Sequence, residues 1–387
     1  MDAAARTTPA YDLGPAAGRN RYADLLRILA IAAVASGHWL LTDVTYTRGQ
    51  LSGLDAIGYV SWAGWLTLLF QVMPVFFLVG GYVHAGSWTR RHERGEHWGE
   101  WVRKDAMALL WPTTVYVTVA FLGFAVARMA GVGATELDQA GWLVALQLWF
   151  LPVYLLLIVL TPAMLAAHRR WGLAVPAVMA LGAGAVDIGV VGARVHLIGY
   201  ANYLLAYAAA QTGLVLAAAP AVSRLLERDR WGRLVTRLNP AVMLVYLWHM
   251  VPVIIVAIAF YPTGIIPQPR IGTAEWWELR PAWVALLAVI LVPLITGLLW
   301  VHRPLLRVLP TGLAAARPWS PALLVAGLAA AGFGLTKLAI GGFAPGGRLS
   351  ALAIGAYACG LLLTLLSGPP PPVRDPRPRD PVASVRT

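Results

Sequence analysis

The sequence has almost no cysteine and little charge. Cys359 is the only thiol among 387 residues and lies inside an apolar run. A single thiol permits no internal disulfide and no cysteine-rich metal site, and it leaves the redox compartment unreadable. Charged side chains make up 12% of the chain, about half the share of a soluble domain. With 59% hydrophobic residues and a mean hydropathy of +0.67, a water-soluble fold of this length would expose more apolar surface than it could hide. Acidic residues are scarcer still, 18 against 30 basic, for a net charge of +12. The basic excess is spread through loops between apolar runs rather than gathered in one stripe, which argues against nucleic acid as a partner. No internal repeat is visible, so a carrier built from repeated halves gains no support. No secretory signal precedes the first apolar run. No soluble catalytic domain stands beside these runs, so any chemistry belongs to the helices.

What is abundant is apolar sequence. Runs at about 24–42, 61–87, 106–130, 142–166, 173–191, 197–219, 240–261, 282–301, 321–341 and 349–366 each suit a hydrocarbon core about 30 Å thick, which takes roughly 17–25 helical residues. The 17 tryptophans fit the same solvent, since indole favours the membrane–water boundary. The predicted fold is all-α and polytopic, with about ten spanning helices and both termini in the cytoplasm. Residues 1–23 form a cytoplasmic segment, 24–366 the membrane domain, and 367–387 a Pro/Arg/Asp-rich tail predicted to be disordered. Basic residues set the orientation. Arg90, Arg91, Arg94, Arg103 and Lys104, then Arg224 to Arg237, then Arg303 to Arg317, then the tail arginines fall on one side. Arg48, Arg194, Arg270, Arg280 and Arg348 fall on the other.

The first run reads RYADLLRILAIAAVASGHWL and places Arg27 eleven positions before His38. At 100° per residue the two return to one helix face, separated by a rise of roughly 16 Å. Arg27 then lies near the cytoplasmic surface and His38 well toward the opposite leaflet. Ala30, Ala32, Ala33, Ala35, Ser36 and Gly37 lie between them, small residues that admit a second helix or a ligand. For Arg27 a snorkelling anchor and a site residue are both open readings. An ionisable group inside a membrane is a functional candidate by default, although His38 is also readable as a neutral ring bonded to a carbonyl.

Arg27-x10-His38 resembles the signature of the acyltransferase 3 family of integral membrane acyltransferases. QVMPVFFLVGGY at 71–82, LQLWFLPVYLLL at 146–157, GYANYLLAYAAAQTGL at 199–214 and LNPAVMLVYLWHM at 238–250 follow in the family's order. The resemblance covers roughly residues 20–310. It implies about ten spans and transfer of an acyl group from cytoplasmic acyl-CoA, a co-substrate rather than a bound cofactor, to a hydroxyl acceptor. Such acceptors are envelope glycans, glycolipids or secondary metabolites. It also implies a catalytic role for His38, with Arg27 as its partner. The appended extracytoplasmic transferase domain of some relatives is missing, which favours direct transfer within the membrane fold.

Chemistry adds weaker candidates. The phosphates of acyl-CoA need cationic donors on the cytoplasmic side, and Arg27, Arg90, Arg91, Arg103 and Lys104 are available there. A hydroxyl acceptor needs a general base, and imidazole titrates near neutrality. Trp149, Asn202, Gln211, Tyr246 and His249 are open both to lining a substrate cavity and to plain helix packing. His84 is open to contact with the CoA head or with water. The eight histidines show no metal-ligand spacing, so no metal is expected. The rival function is a transporter or exporter of a glycan or anion, with Arg27 and His38 binding cargo.

Overall fold

A computed structural model describes residues 20–60, 62, 70, 72–176, 178, 198–307 and 319–368. The predicted run at 173–191 lies almost wholly outside these residues, as do 1–19 and 369–387. In chain order the elements are α1 (Arg21–Leu41), β1 (Thr42–Thr47), β2 (Gln50–Asp55), α2 (Met73–Glu93), α3 (Trp98–Met129), α4 (Ala134–Ala145), α5 (Phe150–Trp171), α6 (Ile198–Glu227), α7 (Asp229–Leu238), α8 (Val242–Trp248), α9 (Val251–Phe260), α10 (Ala274–Arg307), α11 (Pro321–Gly341) and α12 (Ala351–Leu366).

Among the described residues, six helical stretches are long and apolar enough to cross a membrane: Arg21–Leu41, Trp98–Met129, Ala134–Trp171, Tyr207–Glu227, Ala274–Val301 and Pro321–Gly341. The predicted runs at 24–42, 106–130, 142–166, 197–219, 282–301 and 321–341 fall on them. The run at 240–261 is a bent pair, Arg230–Trp248 and Val251–Thr263, broken by 56°, which makes seven spans if counted as one. Pro252 explains the break, because it has no N–H to return to Trp248 and its ring crowds the preceding turn. The run at 349–366 is α12, an apolar helix of 16 residues. From Met73 on, the run at 61–87 belongs to α2, which continues past it into Arg90, Arg91 and Glu93. The chain is a multi-pass helical membrane protein.

It is not purely helical. The first span ends at Leu41 and turns directly into an antiparallel hairpin pairing Thr42 with Asp55 and Thr47 with Gln50. Thr42, Val44, Thr45, Tyr46 and Thr47 are β-branched or aromatic and fit a pleated surface. Arg48 and Gly49 form the two-residue turn with φ of 54° and 84°, the double positive φ that matches the twist of a tight hairpin.

The chain divides into two compact units, Met1–Gly80 with Trp171–Pro304 and Gly81–Arg170 with Leu305–Thr387. In the first, α1 packs on α6, α7 and α8. Buried Tyr22, Ala219, Leu226 and Val235 join α1, α6 and α7. The Tyr22 hydroxyl donates to Val215 O at 2.6 Å and Arg21 donates to Leu226 O at 3.0 Å. In the second unit α11 and α12 meet backbone to backbone. A Cβ at Gly327 would lie 2.6 Å from Thr364 N, and one at Gly360 would lie 2.2 Å from Ala331 N. Without a hydrophobic drive between helices in lipid, such close approach supplies the dispersion contact that holds them. Gly360→Leu is therefore expected to separate this pair, seen as a lower melting temperature of the purified protein in detergent.

Candidate functional site

His38, a partly buried residue, sits in the last turn of α1. Its Nδ1 lies 3.0 Å from Nε2 of His249, the first residue of the break between α8 and α9. The His249 ring is fully buried, and its Nδ1 donates to Tyr246 O at 2.8 Å. The helix break makes this possible. The Val253 N–H turns to Met250 O at 3.2 Å, and His249 O instead accepts the Trp39 indole N–H at 2.6 Å. Two adjacent residues of α1, His38 and Trp39, thus hold the bent span at its break.

A second group adjoins through Trp39. The Trp283 indole donates to Trp39 O at 3.0 Å. One turn earlier on α10, Arg280 donates to Asp43 Oδ1 at 2.8 Å and to Thr42 O at 2.9 Å. The Trp276 indole donates to the same carboxylate oxygen at 3.1 Å. The Arg280 guanidinium carbon stands 3.9 Å from the Trp276 ring centroid, a desolvated cation–π contact. Read from sequence as a loop charge, Arg280 is instead a buried residue of a spanning helix, paired with a hairpin carboxylate. A signal was available: an arginine flanked by Trp276, Trp277 and Trp283 at the edge of the apolar run at 282–301.

The other predicted residues are distributed as follows. Arg27 lies on the unbroken α1, half-buried, 3.7 Å from the carboxylate of Asp24 one turn before it. Phe70 packs on Gly37, where a Cβ would lie 2.7 Å from Phe70 Cβ, so part of the small-residue stripe receives an aromatic ring. Tyr246 is buried in α8. The Gln211 amide donates to the Tyr207 hydroxyl at 2.9 Å, within α6. Asn202 is in α6, and its side chain lies outside the described residues.

The remaining candidates belong to the second unit. Arg90 and Lys104 are exposed. Arg91 pairs with Glu96 at 3.2 Å, and Arg103 donates to Gly368 O at 3.2 Å. Trp149 is 45% exposed, an outward-facing aromatic. His84 is buried, with Nδ1 3.0 Å from Asp105 Oδ2 and Nε2 3.1 Å from the Tyr154 hydroxyl. Among the described residues no three His, Cys, Asp or Glu side chains gather into a metal site.

Residues 20–207 match a family model described as an acyltransferase domain, that of the acyltransferase 3 family. The matched segment holds Arg27 and His38 and ends before His249. Comparison with curated proteins and with solved structures returns no match. This helical membrane chain therefore carries, over residues 20–207, an acyltransferase domain of the acyltransferase 3 type, with Arg27 and His38 on its first span.

Proposed function

We propose that this enzyme is an O-acyltransferase of the cell membrane, with about ten spans and cytoplasmic termini, which takes its acyl group from cytoplasmic acyl-CoA. The acceptor is a hydroxyl on an envelope glycan, a glycolipid or a secondary metabolite. The observation that carries the reading is His38: a partly buried histidine in the last turn of a spanning helix, 3.0 Å from a fully buried partner. In the reaction the His38 ring takes the acceptor's O–H proton as oxygen attacks the thioester carbon. The C–S bond then breaks, and the leaving thiolate of CoA recovers that proton. No bound cofactor is needed. Arg27 neutralises phosphate or orients the thioester, and Arg90, Arg91, Arg103 and Lys104 supply further cations for the nucleotide.

Purified protein given acyl-labelled acyl-CoA and a panel of hydroxyl acceptors is expected to release free CoA and label an acceptor. If acceptor is moved across vesicle membranes with no loss of thioester, the chain is a carrier. Neutralising Arg103 and Lys104 together is expected to raise KM for acyl-CoA more than it changes kcat. The effect shrinks at high salt, because both lie toward the surface. Loss of kcat that ignores salt would put them in the chemistry instead. Reporter fusions after residues 96, 170, 230 and 310 are expected to read cytoplasm, and fusions near 50, 136, 270 and 345 the opposite side. Two successive loops on one side would refute the ten-span topology.

A further inference from the structure

We infer that His249 is the positioning residue of the reaction: it fixes the proton of His38 on Nδ1 and so assigns the base to His38 Nε2. The inference rests on the acyltransfer role proposed for His38 and adds a residue beyond the family-matched segment.

The assignment follows from counting protons along one chain of contacts. Tyr246 O is a carbonyl and only accepts, so the hydrogen on the 2.8 Å contact belongs to His249 Nδ1. A neutral imidazole carries one N–H, so His249 Nε2 is left with a lone pair. Burying a charged ring costs far more than burying a neutral one. His249 is fully buried, and among the described residues no carboxylate lies within ion-pairing distance of it. The 3.0 Å contact to His38 then needs its hydrogen from His38 Nδ1. One tautomer of His38 remains, N–H at Nδ1 and lone pair at Nε2.

Burial divides the two roles. His38 is partly exposed as a residue, whereas His249 is sealed. The sealed ring is itself immobilised, by Tyr246 O at one nitrogen and by Trp39 on its own carbonyl. An acceptor placed behind the base and fixed by a further bond is the arrangement that orients an imidazole for proton abstraction. When Nε2 of His38 takes the acceptor's proton, the ring becomes a cation. The lone pair of His249 on its other N–H then stabilises that cation without taking the proton.

The test uses two substitutions that split the two nitrogens of His249. His249→Asn keeps a donor where Nδ1 was, so it retains the bond to Tyr246 O but has nothing at the Nε2 position. His249→Gln reaches the Nε2 position with an amide oxygen and keeps the acceptor for His38. Nitrogen NMR of the full chain in lipid, ¹⁵N-labelled at histidine, reads the tautomer directly, with the His38 signals identified by their loss in His38→Ala. The wild type and His249→Gln are expected to show His38 protonated at Nδ1, and His249→Asn a mixture of tautomers. In acyl transfer His249→Asn is expected to lose on the order of 10²-fold in kcat with KM for acyl-CoA within about twofold, and His249→Gln to stay within about tenfold of wild type. His38 protonated at Nε2 in the wild type overturns the inference, and that measurement needs no variant to fold. Equal kcat in the Asn and Gln variants overturns it too, since a role in packing alone would not favour Gln. Absence of acyl transfer by the wild type sinks the proposed reaction instead, which the tautomer measurement separates from a wrong hydrogen-bond chain.

Discussion

His38→Ala is expected to lower turnover by on the order of 10²–10⁴, the share a positioned general base contributes, while acyl-CoA still binds. Arg27, the cation proposed for the nucleotide on the same helix, stands eleven positions before His38, near the start of α1. Binding and chemistry should therefore separate: kcat falls and KM for acyl-CoA barely moves, as when a group that acts only in the transition state is removed. The vacated site also leaves the His249 lone pair without a donor, a modest cost in stability that a thermal melt would register. Arg27→Lys keeps the charge and loses the planar fork, so it is expected to impair activity by less than Arg27→Ala. Both need a check of membrane orientation, since the proposed topology puts the Arg27 charge at the inner leaflet. Full acyl transfer by a well-inserted His38→Ala protein would remove His38 from the mechanism and leave it a packing residue.

The second large effect is on stability. Asp43→Ala strips the carboxylate from Arg280, and both side chains are nearly sealed, at 6% and 7% exposure. An uncompensated buried cation costs about 3–5 kcal/mol, and the Trp276 indole loses its acceptor as well. The expected result is a protein that melts well below wild type in detergent. Removing both charges, as in Asp43→Leu with Arg280→Met, is expected to recover much of the loss, because an apolar pair of similar volume replaces a buried ion pair at little cost. The cycle of single and double variants measures this coupling. A double variant no better than Asp43→Ala would mean that the pair acts through the hairpin backbone, where Arg280 also holds Thr42 O.

The sequence made the long helices readable because each is an uninterrupted apolar run, and the described ones fall where hydropathy put them. His38 was readable for a related reason, as an ionisable group where charge is expensive. The hairpin was not, since six residues of Thr, Asp, Val and Tyr after a span look like any polar loop until Arg48 and Gly49 are seen to adopt positive φ. The partner of His38 was beyond reach as well. His249 stands 211 residues away, and it accepts from His38 only because a proline two positions past the break changes the local hydrogen bonding. His84 shows the same limit. Its separation of 21 residues from Asp105 says nothing about pairing until α2 and α3 lie side by side.

The break at His249 also sets an order of assembly. In the hydrocarbon core no water can meet a carbonyl that a bent helix releases. The carbonyl of His249 is met by Trp39, which is made 210 residues earlier. A nascent span that has not yet found α1 does better to stay straighter, with that carbonyl answered inside its own helix. Insertion therefore comes first, and the bend is acquired when the two segments dock. Until then His38 lacks the His249 contact on its ring. If the proposed reaction holds, a half-synthesised chain in the membrane would react slowly with thioester, because the partner that orients His38 lies 211 residues later in the chain.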